Sequence, residues 1–494
     1  MALTGNTPPL EPILLIQLAD LHRDGGSFIS TETLLQSLWT DHDQYQRNPA
    51  IPRPSLVLVC GDIVYGVSGK ESDPDASLKR QYQEASETLI AIADYLFDGD
   101  RTKLVIVPGN HDINMAYVRQ ALTEVPWPKN RQKREMLASQ LMARNSLFRL
   151  DVKTLTLYRI ADPGLYERRL EHFANFFNDF YQGAHTFNLN PADQFNVHDF
   201  PELGICLIGF SSCYGNDIYN RAGAIHPDAL SKASGAVRDL AKQGRLIGAV
   251  WHHNTHGGPA LNDYMDQDVL QSIMAAQCSL GFHGHQHRPE YLQQKYSGGA
   301  PTTLSVISAG TLCGGASSLP MGRMRGYNLV VLDLATKKGT VHVRHMTNER
   351  LEAPTWGECF IPEFQGSSKQ FDFTMPGTPD ANEYVLAQKI DTLRHEGRTQ
   401  AAWDILQNHL RTPLLRRLAT EVLQDLEDWP LIIQHLAPPS TSAEFILLCE
   451  AYKETEKWLE LRGLIESSYA KSSVDVGVRQ KIQDCESTLR RKNS

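Results

Sequence analysis

Five short apolar runs in this sequence stop on residues able to bind a cation or move a proton. Residues 12–18 (PILLIQL) give way to Ala19-Asp20-Leu21-His22, and residues 55–60 (SLVLVC) to Gly61-Asp62. Leu104–Val107 breaks at Pro108-Gly109 and delivers Asn110, His111 and Asp112 in consecutive positions. Residues 245–251 (RLIGAVW) run into His252-His253-Asn254, and residues 278–282 into His283-Gly284-His285-Gln286-His287. A D-x-H or a lone GD is a common accident, and a histidine pair at a strand end is ordinarily a surface feature. Five such endings in one chain, each directly after a buried-strand pattern, are hard to obtain by accident. In open α/β sheets ligands gather beyond the carboxyl ends of the strands, so side chains placed there converge on one spot.

The set holds two carboxylates, four or five imidazoles and one amide oxygen. That mixture suits borderline and harder divalent ions, namely Mn2+, Fe, Zn2+ or Ni2+, and it lacks the thiolates of a structural zinc site. These are too many ligands for one ion and enough for two if one carboxylate bridges them. Two ions about 3.5–4 Å apart clamp a phosphate and generate a hydroxide near neutral pH for in-line attack.

The elements that must carry these endings follow from periodicity. Residues 77–97 have helical spacing, with Leu78, Tyr82, Ala85, Leu89, Ile92 and Leu96 on one stripe, between the second and third apolar runs. Strand, helix, strand in that rhythm predicts βαβ units and an α/β core. The polar, Pro-containing stretch 41–54 reads as a loop. From about 116 to 196 the pattern loosens around Arg131-Gln132-Lys133-Arg134 and the aromatic run 173–181 (FANFFNDFY), which reads as a helical insertion that caps or flanks a site. Core strands resume at 203–210, 303–308, 327–334 and 339–345. Residues 354–379 are rich in Pro, Gly, Thr and Ser and read as a linker. Helix-length segments then follow at 401–410, 414–425, 429–436, 442–455 and 458–469, a helical repeat-like arrangement. The expected division is a catalytic domain over 1–350 with its insertion at 116–196, a linker over 351–380 and an all-α domain over 381–494.

Bulk properties narrow the class. A chain of 494 residues is long enough for two or three domains. A net charge of −9 argues against coating nucleic acid by bulk charge, although a local basic groove can exist on an acidic protein. The apolar runs are far short of the roughly 20 residues a membrane helix needs, so no membrane partner is expected. The start MALTGNTPPLEP lacks the basic head and apolar core of a signal peptide. Eight scattered cysteines without a CxxC pair read as free, mostly buried thiols, and with that start they predict a cytoplasmic protein.

Taken in order, Asp20-Leu21-His22, Gly61-Asp62, Gly109-Asn110-His111-Asp112, His252 and Gly284-His285-Gln286-His287 resemble the signature of the calcineurin-like metallophosphoesterases over about residues 10–346. The resemblance implies a four-layer α-β-β-α sandwich. It also implies that Asp20, His22 and His287 hold one ion, that Asn110, His252 and His285 hold a second, and that Asp62 bridges them. His111 would protonate the leaving oxygen or steady the phosphate, with Asp112 orienting it. Two departures stand out. The family often has His-His-Pro where this chain has His252-His253-Asn254; the first histidine best fits the ligand position, with His253 as the alternative. The insertion before residue 203 is also long, and it would control what reaches the metals.

The expected activity is hydrolysis of phosphate esters, phosphodiesters before monoesters, on a substrate that includes nucleotides or nucleic acid among its candidates. A DNA or RNA nuclease, a protein phosphatase and a cyclic-nucleotide phosphodiesterase are the alternatives within that chemistry. A scaffold with a vestigial metal site is the alternative from another class. The C-terminal helices would serve a protein partner. His256, His283, His342 and His345 read as non-ligand neighbours or strand-face residues, Asn216, Arg221, Arg323 and Arg325 as loop residues that either meet phosphate or stay solvated, and the 173–181 aromatics as packing.

Overall fold

The computed structural model describes residues 11–25, 29–141, 146–257, 263–265, 267–296, 302–348, 350–375, 386–387, 389–394, 397–410 and 413–492. Most of the N-terminal stretch read for a signal peptide, and residues 376–385 at the expected linker boundary, lie outside the described residues. The chain divides into two compact units, Met1–Lys295 with Thr303–Thr378, and Tyr296–Thr302 with Pro379–Ser494.

The first unit is built on two sheets. In one, β1 (Ile13–Leu18), β2 (Pro54–Cys60) and β3 (Leu104–Val107) lie parallel, and β13 (Gly326–Asp333) runs antiparallel beside β1. Next to β13 come β14 (Lys338–Met346) and β15 (Trp356–Glu358), while β16 (Ser368–Asp372) also pairs with β14. The other sheet has the order β11 (Glu290–Tyr296), β12 (Thr302–Ser308), β10 (Leu280–His283), β9 (Leu246–Val250), β8 (Ile205–Phe210), β7 (Phe195–Phe200). The central runs β1, β3, β8, β9 and β10 are apolar and buried because both their faces are covered, as parallel sheets require.

One face of each sheet meets the other in a shared core that contains Leu15, Leu58, Val105, Leu207, Val250 and Phe282. On its opposite face the first sheet presents Ile16, Val57 and Ile106 to α1 (Thr31–Tyr45), α2 (Pro74–Phe97) and α6 (Glu171–Tyr181). The second sheet carries α7 (Pro227–Lys242) over β8 and β9, with α8 (Gln267–Ala275) packed against α7. The layers are therefore α-β-β-α, as the family resemblance implies. α2 follows its local rules at both ends: the Asp73 side chain caps Ala76 N with Pro74 in the first turn, and left-handed Asp98 and Gly99 stop it.

A single polar residue inside β1 bridges the sheets. Gln17 is fully buried; its Nε2 donates to the carbonyls of His283 and Ile307 at 3.0 Å each, and its Oε1 accepts from Asn328 at 2.9 Å. An amide in an otherwise apolar strand is tolerated because each of its polar atoms is satisfied.

Three expectations give way here. The insertion is not purely helical: β4 (Leu122–Glu124), β6 (Thr156–Ile160) and β5 (Phe148–Asp151) form a small antiparallel sheet among α3 (Met115–Ala121), α4 (Arg131–Leu141), α5 (Pro163–Glu167) and α6. Residues 351–375 are not a linker, since β15 and β16 extend the first sheet; short edge strands tolerate the turn-rich composition that suggested one. Asp41, expected in a loop, lies buried in α1, where Arg344 and Tyr327 bond its carboxylate.

In the second unit, helices Thr399–Leu406, Pro413–Leu426, Trp429–Leu436, Ser442–Glu454, Trp458–Ile465, Ser468–Ser472 and Val476–Lys492 follow in succession. Successive helices pack on one another, and the fourth also packs on the last. Their core includes Trp403, Leu406, Val422, Phe445, Leu448 and Leu461.

Candidate metal centre

Strand register brings the five endings together. Leu18 pairs with Val59, Cys60 with Val107 and Val250 with Phe282, so neighbouring strands stop at one level and release their polar residues side by side. The chain then turns sharply: Asp20, His22, Asp62, His285 and His287 all have φ between 44° and 73°. Left-handed backbone costs a non-glycine residue about 1–3 kcal/mol, and five cases at one place mark a functional constraint. Close approach is enforced by glycine. A Cβ on Gly109 would strike the Asp62 carboxylate, and one on Gly61 would lie 2.5 Å from His252 Nδ1.

Among the described residues three groups of acceptor atoms result: Asp20, His22 and His287; His22, Asp62 and His111; and Asp62, His252 and His285. Within each, the candidate ligand atoms lie within 4.8 Å of one another. Asp62 and His22 each belong to two groups. His252 Nδ1 faces the Cys60 carbonyl at 2.8 Å, so its proton belongs there and Nε2 carries the lone pair. That Nε2 lies 3.0 Å from Asn110 Oδ1, 3.1 Å from His285 Nδ1 and 3.3 Å from Asp62 Oδ1. His285 turns its other nitrogen to Asp263 at 3.6 Å. On the far side, His287 Nδ1 faces the Ser318 carbonyl at 2.9 Å, leaving Nε2 bare at 3.3 Å from both His22 Nε2 and Asp20 Oδ1. Lone pairs of nitrogen and oxygen turned toward each other at such distances are the donor set of a divalent cation, and the residues present fit one.

The electrostatics agree. Burial alone would raise Asp62, but the imidazoles of His252 and His111 hold its carboxyl well below the usual range. Burial likewise opposes ionisation of Asp20, and His287 outweighs it. His22 is pushed down to about 4, chiefly by burial, which keeps its ring neutral and available as a ligand. Burial opposes charge on His252 too, yet the Asp62 and Asp20 carboxylates lift it to about 9: Nε2 takes up a proton where no cation occupies it, so the cluster draws positive charge toward itself.

Asp112 and His111 divide differently from expectation. The His111 ring is held not by Asp112 but by the Tyr65 carbonyl, 2.6 Å from Nδ1, while its Nε2 stays half-exposed at 4.0 Å from Asp62 Oδ2. Asp112 is fully buried and accepts from Gly109 N at 2.7 Å, Ile63 N at 3.2 Å and Tyr82 OH at 2.9 Å. It ties the loop after β3 to the loop after β2 and to α2. Burial, with the Asp62 charge adding to it, pushes its carboxyl up to about 7.

His253 is turned away from the cluster. Its Nδ1 meets Ser212 Oγ at 2.8 Å and its Nε2 meets Asn216 Nδ2 at 3.1 Å, and burial holds the ring neutral. Asn216, read as a solvated loop residue, is therefore a buried partner. Among the described residues His256, His283, His342 and His345 join none of the acceptor groups. The 173–181 aromatics pack: Phe173, Phe176, Phe177 and Phe180 are buried in the core beneath the first sheet. Sequence reasoning missed Tyr65 and Asp263 as ring partners. Tyr82 was visible only as one apolar position on a helical stripe.

This architecture is the two-sheet fold of a phosphoesterase family, with side chains able to hold metal ions at the strand ends. The chain belongs to the calcineurin-like phosphoesterase family, whose profile matches residues 13–289. Among solved structures it is similar to a dimetal phosphatase from Danio rerio, with a TM-score of 0.37 and 13% identity over 68% of this chain and 97% of that one. It is also similar to zinc-complexed Vps29 from Entamoeba histolytica (TM-score 0.26, 9% identity, 73% and 100% covered). A third is the 5'-nucleotidase from Candida albicans (TM-score 0.29, 11% identity, 85% and 58% covered). No curated protein matches the chain. The family assignment rests on the match across 13–289.

Proposed function

We propose that this protein is a divalent-metal-dependent hydrolase of phosphate esters, acting on phosphodiesters before monoesters. The observation that carries the reading is Asp62, whose carboxylate belongs to two acceptor groups at once, as a bridging ligand must. In this reading Asp20, His22 and His287 would hold one ion and Asn110, His252 and His285 a second, with Asp62 serving both; Mn2+, Fe, Zn2+ and Ni2+ are the candidates. Such ions, when bound, neutralise phosphate charge and acidify water near neutral pH. The chain's own contribution is positional. The Tyr65 carbonyl accepts the Nδ1 proton of His111, so Nε2 is the nitrogen left for the reaction: the doubly protonated ring would give its Nε2 proton to the leaving oxygen and remain as the neutral Nδ1–H form. Asp112 keeps His111 in place through the backbone of Gly109 and Ile63. We further propose a cytoplasmic location and a protein partner for the C-terminal helices.

The test is hydrolysis of bis(p-nitrophenyl) phosphate beside p-nitrophenyl phosphate, with each metal supplied in turn. Turnover of the diester with Mn2+ is expected, faster than of the monoester. No hydrolysis with any divalent ion would remove the enzyme reading, and faster monoester turnover would reverse the preference.

A further inference from the structure

The insertion separates both charge and apolar surface from the rest of the molecule. Over residues 122–160 there are eight Lys and Arg against three Asp and Glu, whereas the whole chain has 48 against 57. Of the twelve exposed large hydrophobic side chains among the described residues, five lie in the same stretch: Trp127, Met136, Leu147, Val152 and Leu155. The turn joining β5 to β6 carries Val152 at 73% exposure, Leu155 at 66% and, between them, exposed Lys153. Trp127 is bound to that turn, its Nε1 donating to the Leu155 carbonyl at 2.9 Å, with its ring 45% exposed. Next to it α4 packs on β5 and exposes Arg131, Lys133, Arg134 and Met136.

We propose that this hairpin tip and α4 form a peripheral docking surface for a membrane bearing anionic lipid headgroups. Aliphatic side chains at the end of a two-stranded turn enter the acyl boundary without exposing strand edges to it. The indole takes the interfacial position, and the flanking lysines and arginines meet the negative surface. Nucleic acid fits less well, because the protruding residues beside the cations are aliphatic, with Trp127 as the one aromatic among the five. The contact is peripheral: no described helix is long and apolar enough to cross a membrane. The expectation of no membrane partner came from spanning length alone, which says nothing of a surface contact. The proposal is independent of the chemistry at the metal centre.

The experiment is cosedimentation of the full chain with vesicles of phosphatidylcholine alone and of phosphatidylcholine mixed with phosphatidylserine. Binding is expected to the mixed vesicles and to weaken as salt is raised. The Val152→Asp/Leu155→Asp variant should bind about tenfold more weakly or worse, with unchanged hydrolysis of a small substrate. Should that variant lose its wild-type melting temperature, Val152→Ser/Leu155→Ser serves in its place. Lys133→Glu/Arg134→Glu/Lys153→Glu should abolish the preference for charged vesicles. The proposal is overturned by no binding to the mixed vesicles, by binding that the tip variants leave intact, or by single-stranded DNA binding that the same variants remove while vesicles are ignored.

Discussion

Asp62 accepts from His111 N at 2.8 Å, stands 3.3 Å from His252 Nε2 and shares a second group with His22, so one change at this carboxylate reaches the whole centre. Asp62→Asn keeps its size and removes its charge. Hydrolysis is expected to fall about 10²- to 10³-fold, measured as kcat/KM beside metal content. His253→Ala is expected to cost less, because that ring faces Ser212 and Asn216. An inactive His253→Ala beside an active His252→Ala would overturn the ligand choice. At this scale the residue types were legible in large part: Asp20, His22, Asp62, Asn110, His111, His252, His285 and His287 come together, whereas Asp112, His253 and His283 from the same strand endings find other partners. Their partners were not. Nothing in the local sequence pairs Tyr65 with His111 or Tyr82 with Asp112, because those contacts join residues 46 and 30 positions apart.

The strands position the site by ending flush, and Gln17 holds the two sheets in the alignment that makes this useful. Gln17→Leu leaves the carbonyls of His283 and Ile307 without that donor inside a dry interface. A loss of about 2–4 kcal/mol in urea unfolding is expected, together with weaker metal retention, since His283 adjoins the turn that carries His285 and His287. Unchanged stability would mean that the sheets align without it. Strands at the centre of each sheet were legible because burial on both faces forces continuous apolar runs. Edge strands β15 and β16 were not, because an edge needs little hydrophobicity and accepts Pro and Gly nearby. The small sheet of the insertion escaped for a related reason: its strands are three to five residues long, too short for a clear alternation.

Over the whole chain, the candidate metal ligands and the C-terminal helices belong to separate compact units, each with its own core. Removal of residues 379–494 is expected to leave hydrolysis of a small diester within about twofold of wild type, since all the candidate metal ligands belong to the first unit. A soluble, folded truncation that has lost activity would show that the helices complete the site. If activity on the small ester persists while a macromolecular substrate or partner is lost, the helical unit serves recognition.

The sequence by itself determined the class of chemistry. Side-chain identity decides which atoms can bind a divalent ion, and strand periodicity decides that each group stands at a carboxyl end. The tertiary structure alone decided how those groups divide. Left-handed turns at Asp20, His22, Asp62, His285 and His287 aim each side chain across the strand ends. Carbonyls of Cys60 and Ser318 fix which nitrogens of His252 and His287 stay bare. Both are products of contacts between distant segments, and backbone handedness at a polar residue leaves no mark in its local sequence.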